Sequence, residues 1–261
     1  MRCLIVGEGD DPHTVAVVEK IRALGSDPIV FDYRVDRLLI EPSAAHLSTF
    51  TIQTQNQRAE SSEITAVWFR LKPAPIEPSD NPLEASARAF RQSEWRAALR
   101  SLYSFIPTAK WINSIPRLTA AASKAGQLHL AQSIGLTVPD SLITNDHEAV
   151  SMFLQRHGRV IYKSLEWFTF PDLRGIFTTE IGKKEVEGRM LNIGAAPGIY
   201  QQFIEKSYEL RVTVVGTQCF AARINTPTQG KASIDWRHAH FDDIFSIADL
   251  DCSPSAPMAQ I

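Results

Sequence analysis

The sequence predicts an α/β domain followed by an α+β domain, and two contrasting patterns carry that prediction. The apolar run RCLIV at 2–6, the punctuation GEGDDP, helically spaced Val15, Val18, Ile21 and Leu24, and then PIVFD read as a β-α-β unit. Such a unit favours a parallel sheet with a right-handed crossover, and ligands tend to sit beyond its strand ends. The second half has another character: RVIYKSL, GIFTTEI, GIYQQFI, YELRVTVVG and CFAARIN are strand-like, with one helical stretch at 183–193 among them.

The elements between these follow in order. AVWFRLK at 66–72 is a further strand whose alternation puts Trp68, Arg70 and Lys72 on one face, either solvated or lining a site. The proline-rich PAPIEPSDNP after it is a loop. From Leu83 to Ile106 the spacing of Ala87, Phe90, Ala98, Leu99 and Leu102 predicts a long amphipathic helix stopped by Pro107. WINSIP at 111–116 opens a second helical stretch with Leu118, Ala121, Ala125, Leu128 and Gln132 along one stripe, ended by Gly135 and Pro139, and a new domain begins near here. Residues 141–143 form a short strand; Thr144, Asn145 and Asp146 then cap a helix carrying Val150, Phe153 and Leu154 that ends at Gly158. The final SAPMAQI looks like the first turn of a further helix.

Composition narrows the function classes. With 261 residues and 44% hydrophobic content, the chain can bury a substantial core. Lys and Arg total 27 against 29 Asp and Glu, so no global charge favours a nucleic acid, and any bound anion must be held by a local site. Cys3, Cys219 and Cys252 are far apart and lack CxxC spacing, which disfavours a disulfide framework and a zinc site and fits a reducing cytoplasm. The opening apolar run is too short for a signal segment or a membrane span. Gly7 and Gly9 suggest a dinucleotide loop, but Pro12 stands where its third glycine belongs, so a tight turn is the better reading and a nicotinamide-dependent oxidoreductase is disfavoured.

Single residues decide little. Lys163 inside RVIYKSL fits an edge strand with its ammonium in water, or a cleft where it meets an anion. Lys124 lies off the apolar stripe of its helix, as a surface lysine would. The succession is more specific: WINSIPRLTAAASKAGQLHLAQSIGLTVPDSLITND, VIYKSL, GIFTTEI, IYQQFIEKSYELRVTVVG, AARIN and DWR. In this order it resembles the ATP-grasp superfamily, in the branch of microviridin-type peptide maturases and the ribosomal-protein glutamate ligase. The resemblance spans the chain, with DDPHTVAVVEKIRALGSD and AVWFRL placed as in the family's pre-ATP-grasp domain. It implies a Rossmann-like pre-ATP-grasp domain over 1–112 that binds substrate and an incomplete ATP-grasp fold over 113–261.

The resemblance also implies roles. Lys124 and Lys163 look like the two lysines that hold ATP phosphates, as compact charges on flexible stems. Gln202, Phe203 and Ile204 resemble the hinge strand whose main chain reads adenine, and Glu209 the acid that takes the ribose hydroxyls. Arg211 is a candidate for the γ-phosphate or acyl-phosphate, with a cross-strand ion pair to Glu209 as the alternative; Arg223 and Arg237 resemble further cleft arginines, suited to phosphate by their planar geometry. Asp235 and Trp236 fit a turn and packing as well as catalysis. LEWFTFPDLRGIFTTEI corresponds to the loop over the triphosphate, here with Trp167, Phe168 and Phe170 and only Gly175.

The chemistry implied is ATP-dependent activation of a peptide carboxylate as an acyl-phosphate and its capture by an amine or hydroxyl, forming an amide or ester in a ribosomally made peptide. ATP and Mg2+ are the implied cofactors, a peptide with a leader segment the implied partner, and a homodimer is admitted. The family's magnesium ligands, an Asp and a later Glu-x-Asn, have no counterpart: Asp242, Asp243, Asp249 and Asp251 lack the matching context. The chain is thus expected to be C-terminally truncated, without metal ligands, and weak in nucleotide binding. A non-catalytic module that binds a peptide partner fits that expectation too.

Overall fold

The computed structural model describes residues 2–42, 49–70, 81–166, 176–188, 190–227, 229–239 and 244–248. Lys72, the proline-rich loop, the aromatics Trp167, Phe168 and Phe170, Gly175, Asp242, Asp243, Asp249, Asp251 and the SAPMAQI end lie outside them. The chain forms two compact units that divide between Ala122 and Ser123.

The first unit runs β1 (Arg2–Val6), α1 (Pro12–Ala23), β2 (Ile29–Phe31), β3 (Arg37–Glu41), β4 (Thr49–Gln53), β5 (Arg58–Glu60), β6 (Ile64–Phe69), α2 (Pro82–Phe105), β7 (Lys110–Ile112) and α3 (Ile115–Ala122). A sheet of order β2-β1-β6-β7 is parallel throughout, as the β-α-β reading expects. Its inner strand β1 buries Leu4, Ile5 and Val6 in succession, the signature of a parallel strand covered on both faces. Strands β3, β4 and β5 form an antiparallel meander absent from the sequence reading. Phe50 and Ile52 from β4 join Leu4, Phe31, Val67, Leu99 and Leu102 in one core, with Phe50 edge-on to Phe105. Helix α2 matches the expected amphipathic helix, and its start is fixed by the Asn81 side chain accepting from the Leu83 amide at 3.0 Å.

The stretch read as a helix opening at 111 departs from expectation. Lys110–Ile112 adds a parallel edge strand to the sheet, and the helix is broken in two. Ser123 makes the break: its hydroxyl accepts from the Gly126 amide at 3.2 Å, so it caps a new helix rather than continuing the old one.

The second unit comprises α4 (Lys124–Ser133), β8 (Ser141–Thr144), α5 (His147–His157), β9 (Val160–Lys163), β10 (Thr179–Ile181), α6 (Lys183–Gly188), α7 (Met190–Ala195), β11 (Gly198–Gln202), β12 (Glu209–Val215), β13 (Gln218–Ile224), α8 (Lys231–Ile234) and β14 (Phe245–Ala248). Asp146 caps α5 by accepting from the amides of Glu148 and Ala149, and Gly158 at φ 70° ends it, both as the sequence indicates. Two sheets follow, antiparallel throughout: β10-β9-β11-β8 and β12-β13-β14. One face of the first carries Val160, Tyr162 and Tyr200 onto Val150 of α5, Val186 of α6 and Ile193 of α7. By strand alternation, Ile161, Lys163 and Gln201 must face the other way.

Cys3 is a free thiol, and Cys252 lies outside the described residues. Among the described residues no helix is long and apolar enough to cross a membrane.

Gly198 is where a side chain has no room, since a β-carbon there would collide with the Tyr162 ring. Replacing it with alanine is expected to destabilise the second unit by about 1–3 kcal/mol, as overpacking does. Urea unfolding measures this; an unchanged midpoint would contradict the packing described.

Candidate functional site

A cavity of about 490 Å³ lies within the second unit, in the size range of roughly 300–1,000 Å³ usual for small-molecule sites. Its floor is the face of β9 and β11 turned away from the apolar cluster, which supplies Ile161, Lys163 and Gln201. Lys163 sits on an inner strand between β10 and β11, so the edge-strand alternative does not hold. Its ammonium donates to Gln201 Oε1 at 2.7 Å.

Lys124, the first residue of α4, also lines the cavity. A cation at a helix N-terminus is disfavoured by the helix dipole, so helix stability does not explain its presence there. Its ammonium instead donates to the Ser164 carbonyl, just past the end of β9. Arg237 enters from the turn after α8, where Asp235 orients it: Arg237 Nη1 lies 3.1 Å and 3.3 Å from the two carboxylate oxygens, and the Arg237 amide donates at 3.1 Å. The Asp235 carboxylate also accepts from the Thr178 amide at 3.1 Å.

Gln202, Phe203 and Ile204 line the same cavity at the end of β11. The Gln202 amide donates to the Asp140 carbonyl at 2.9 Å and the Phe203 amide to the Arg159 carbonyl at 3.0 Å. The Arg159 guanidinium lies over the Phe203 ring at 3.8 Å while holding Glu180, which fixes the segment from one side. Ile204 leaves the sheet there, and no carbonyl among the described residues accepts its amide hydrogen. Glu209, at the start of β12, bonds to Lys206 at 2.6 Å. That pair replaces the alternative of an ion pair between Glu209 and Arg211.

Seven of the nine residues singled out from the sequence therefore share one cavity: Lys124, Lys163, Gln202, Phe203, Ile204, Glu209 and Arg237. Arg211 on β12 and Arg223 on β13 are exposed and are not among its lining residues; Arg223 bonds Asn225 and covers the Tyr208 ring at 4.1 Å. Lys206, Gln201 and the orienting part of Asp235 escaped the sequence reading. A signal existed for Gln201, because a polar side chain inside the apolar run GIYQQFI needs buried partners.

Positive charge exceeds negative in this lining, with Lys124, Lys163, Lys206 and Arg237 against Asp235 and Glu209. Burial lowers the pKa of Lys163, and Lys124 and Lys206 lower it further against the opposing pull of Asp235 and Glu209. Burial also lowers that of Lys124, with Arg237 adding to it and Glu166 opposing. Burial pushes the Asp235 carboxyl up, but the amides of Arg237 and Thr178 and the Arg237 guanidinium outweigh it and leave it below its ordinary 3.8. An incoming phosphate would relieve the crowding of like charges at the lysines. Among the described residues no group of three or more His, Cys, Asp or Glu is placed to hold a metal ion.

No protein-family model matches the chain, and no curated protein does. Solved structures do. The macrocyclase MdnC of Microcystis aeruginosa MRC, bound with precursor peptide MdnA, matches with a TM-score of 0.76 and 26% identity over 96% of this chain and 79% of that one. The ATP-grasp ligase PsnB, complexed with minimal precursor, Mg and ADP, matches at 30% identity over 85% of this chain and 72% of that one, with a TM-score of 0.61. A RiPP-associated ATP-grasp ligase from Chryseobacterium gregarium, in complex with ADP and a leader and core peptide, shares the fold at a TM-score of 0.73 and 24% identity, over 90% of this chain and 72% of that one.

Because the folded Asp235 carboxyl titrates below 3.8, the stability it contributes is complete above that value and is lost as pH falls through the depressed one. Asp235→Asn is thus expected to cost about 1–3 kcal/mol at neutral pH, and less as the solution is acidified. Urea unfolding of both proteins along a descending pH series tests this; a pH-independent difference would contradict it.

Proposed function

The chain belongs to the ATP-grasp ligase family, in the branch that matures ribosomally made peptides, and on that premise we propose that its cleft binds ATP to activate a peptide carboxylate. The observation that carries the reading is that Lys124, Lys163 and Arg237, far apart in sequence, line one cavity together with residues 202–204 and Glu209. In this proposal the three cations take the triphosphate, the Ile204 amide and the neighbouring main chain take the adenine edge, and the Glu209 oxygen not bonded to Lys206 takes a ribose hydroxyl. Ile161, Phe203 and Ile204 give the base an apolar surround.

Bound ATP would give its γ-phosphoryl group to the carboxylate and leave as ADP, and a Lys, Ser or Thr side chain of the peptide would then attack the acyl carbon, lose a proton and expel inorganic phosphate, leaving an amide or ester. The chain's own contribution is preorganised positive charge where negative charge accumulates. Arg237, held by Asp235, is the cavity arginine best suited to that role. For Arg211 and Arg223, contact with the acyl-phosphate remains part of the proposal, through the peptide side of the reaction. Magnesium is the proposed companion of the nucleotide, as PsnB is complexed with Mg and ADP.

The proposed partner is a precursor peptide with a leader segment, as in the Chryseobacterium complex. Residues 1–112 are proposed as the pre-ATP-grasp domain that engages it, and 113–261 as the ATP-grasp domain. The near balance of charge argues against a nucleic-acid partner, the proposed compartment is the cytoplasm, and a homodimer is compatible with this reading.

Lys163→Ala is expected to weaken ADP binding at least tenfold, which corresponds to about 1.4 kcal/mol. Isothermal titration of ADP into both proteins, with magnesium chloride present, gives the answer; equal affinities would contradict the site.

A further inference from the structure

We infer that Gln201 is a positioning residue: a neutral acceptor, locked in orientation by Ser141, that holds the Lys163 ammonium in the cleft without neutralising it. The inference rests on the reading of this cleft as the nucleotide site. Gln201 is buried at 6% exposure as the penultimate residue of β11, beside Lys163 on the cavity face of the sheet. Its two amide ends are both engaged. Oε1 accepts from Lys163 Nζ at 2.7 Å, and Nε2 donates to Ser141 Oγ at 2.8 Å.

The orientation of that amide follows from hydrogen-bond bookkeeping. Ser141 Oγ donates to the Pro139 carbonyl at 2.8 Å, and a carbonyl can only accept. The hydroxyl proton is therefore committed, and Oγ can only accept from Gln201. At the other end an ammonium can only donate, so it requires the oxygen. A flipped Gln201 would set donor against donor at Lys163 and acceptor against acceptor at Ser141. The chain Lys163–Gln201–Ser141–Pro139 thus admits one arrangement and fixes the lysine at a defined point over the sheet.

The neutrality of the acceptor matters as much as its position. A glutamate there would fit the same space and hold the lysine more strongly, as a charge-assisted bond. It would also cancel the charge that a phosphate needs. The groups acting on Lys163 come from every side: Lys124 on α4, Lys206 between β11 and β12, Asp235 after α8 and Glu209 on β12. Burial and the two lysines hold its pKa below the ordinary 10.5 against the two acids. One ammonium hydrogen is used on Gln201, which leaves two for an anion.

The test is ADP affinity, measured calorimetrically with magnesium chloride across a rising pH series, for the wild type, Gln201→Glu, Gln201→Met and Ser141→Ala, each checked for folding by thermal melting. An anion favours protonated Lys163, so wild-type affinity should be greatest below the free lysine pKa and fall as pH rises through it. Gln201→Glu is expected to bind about tenfold more weakly at neutral pH, with its pH-dependent fall displaced upward. Gln201→Met should weaken binding and displace the fall downward, and Ser141→Ala, which leaves the sheet hydrogen bonds in place, should weaken it by a smaller factor. Folded Gln201→Glu with wild-type affinity and an unmoved pH profile would overturn the inference while leaving the nucleotide site intact. If Gln201→Glu fails to fold, unaltered affinity and pH profile in Gln201→Met and Ser141→Ala would overturn it in the same way. A wild type that does not bind ADP would overturn the nucleotide reading, and this inference with it.

Discussion

The second unit depends on the two-faced pairing of β9 with β11. One face presents Val160, Tyr162 and Tyr200 to the helices and is closed by packing tight enough to exclude a β-carbon at Gly198. The period of two then leaves Lys163 and Gln201 no choice but the opposite face. Hydrophobic burial sets the register, and register sets which polar groups meet in the cleft. A slip of one residue would bury the lysine among tyrosines and turn the tyrosines into the cavity.

Around that floor the charges are balanced by arrangement. Among the described lining residues Lys124, Lys163, Lys206 and Arg237 stand against Asp235 and Glu209. Each carboxylate serves one cation at close range: Asp235 holds Arg237, and Glu209 holds Lys206. Lys124 and Lys163 are held by neutral oxygens instead, those of Ser164 and Gln201. The cations proposed to meet phosphate are thus the ones left without direct neutralisation, apart from Arg237, whose planar group has donors to spare. Such a cleft is partly desolvated and repels its own charges until an anion enters, which is how preorganised sites favour charge that develops later.

The sequence was informative wherever a pattern was local. Asp146 and Gly158 bracket α5 because a cap and a left-handed glycine act within one turn. The long α2 was legible from its periodicity, and the order of motifs located seven cavity residues. The misses are non-local. Strands β3, β4 and β5 span only three to five residues each, too few to establish alternation against a coil background. Ser123 reads equally well within a helix or as a cap, and only the hydroxyl's bond to Gly126 decides. Lys206 and Gln201 act through partners on other strands, a relation that spacing cannot express.

The most direct measurement is a crystal structure of the protein grown with ADP and magnesium. The diphosphate is expected between Lys124, Lys163 and Arg237, with the base against residues 202–204 and the ribose beside Glu209. Nucleotide density elsewhere, with those three cations still paired as they are without ligand, would contradict it.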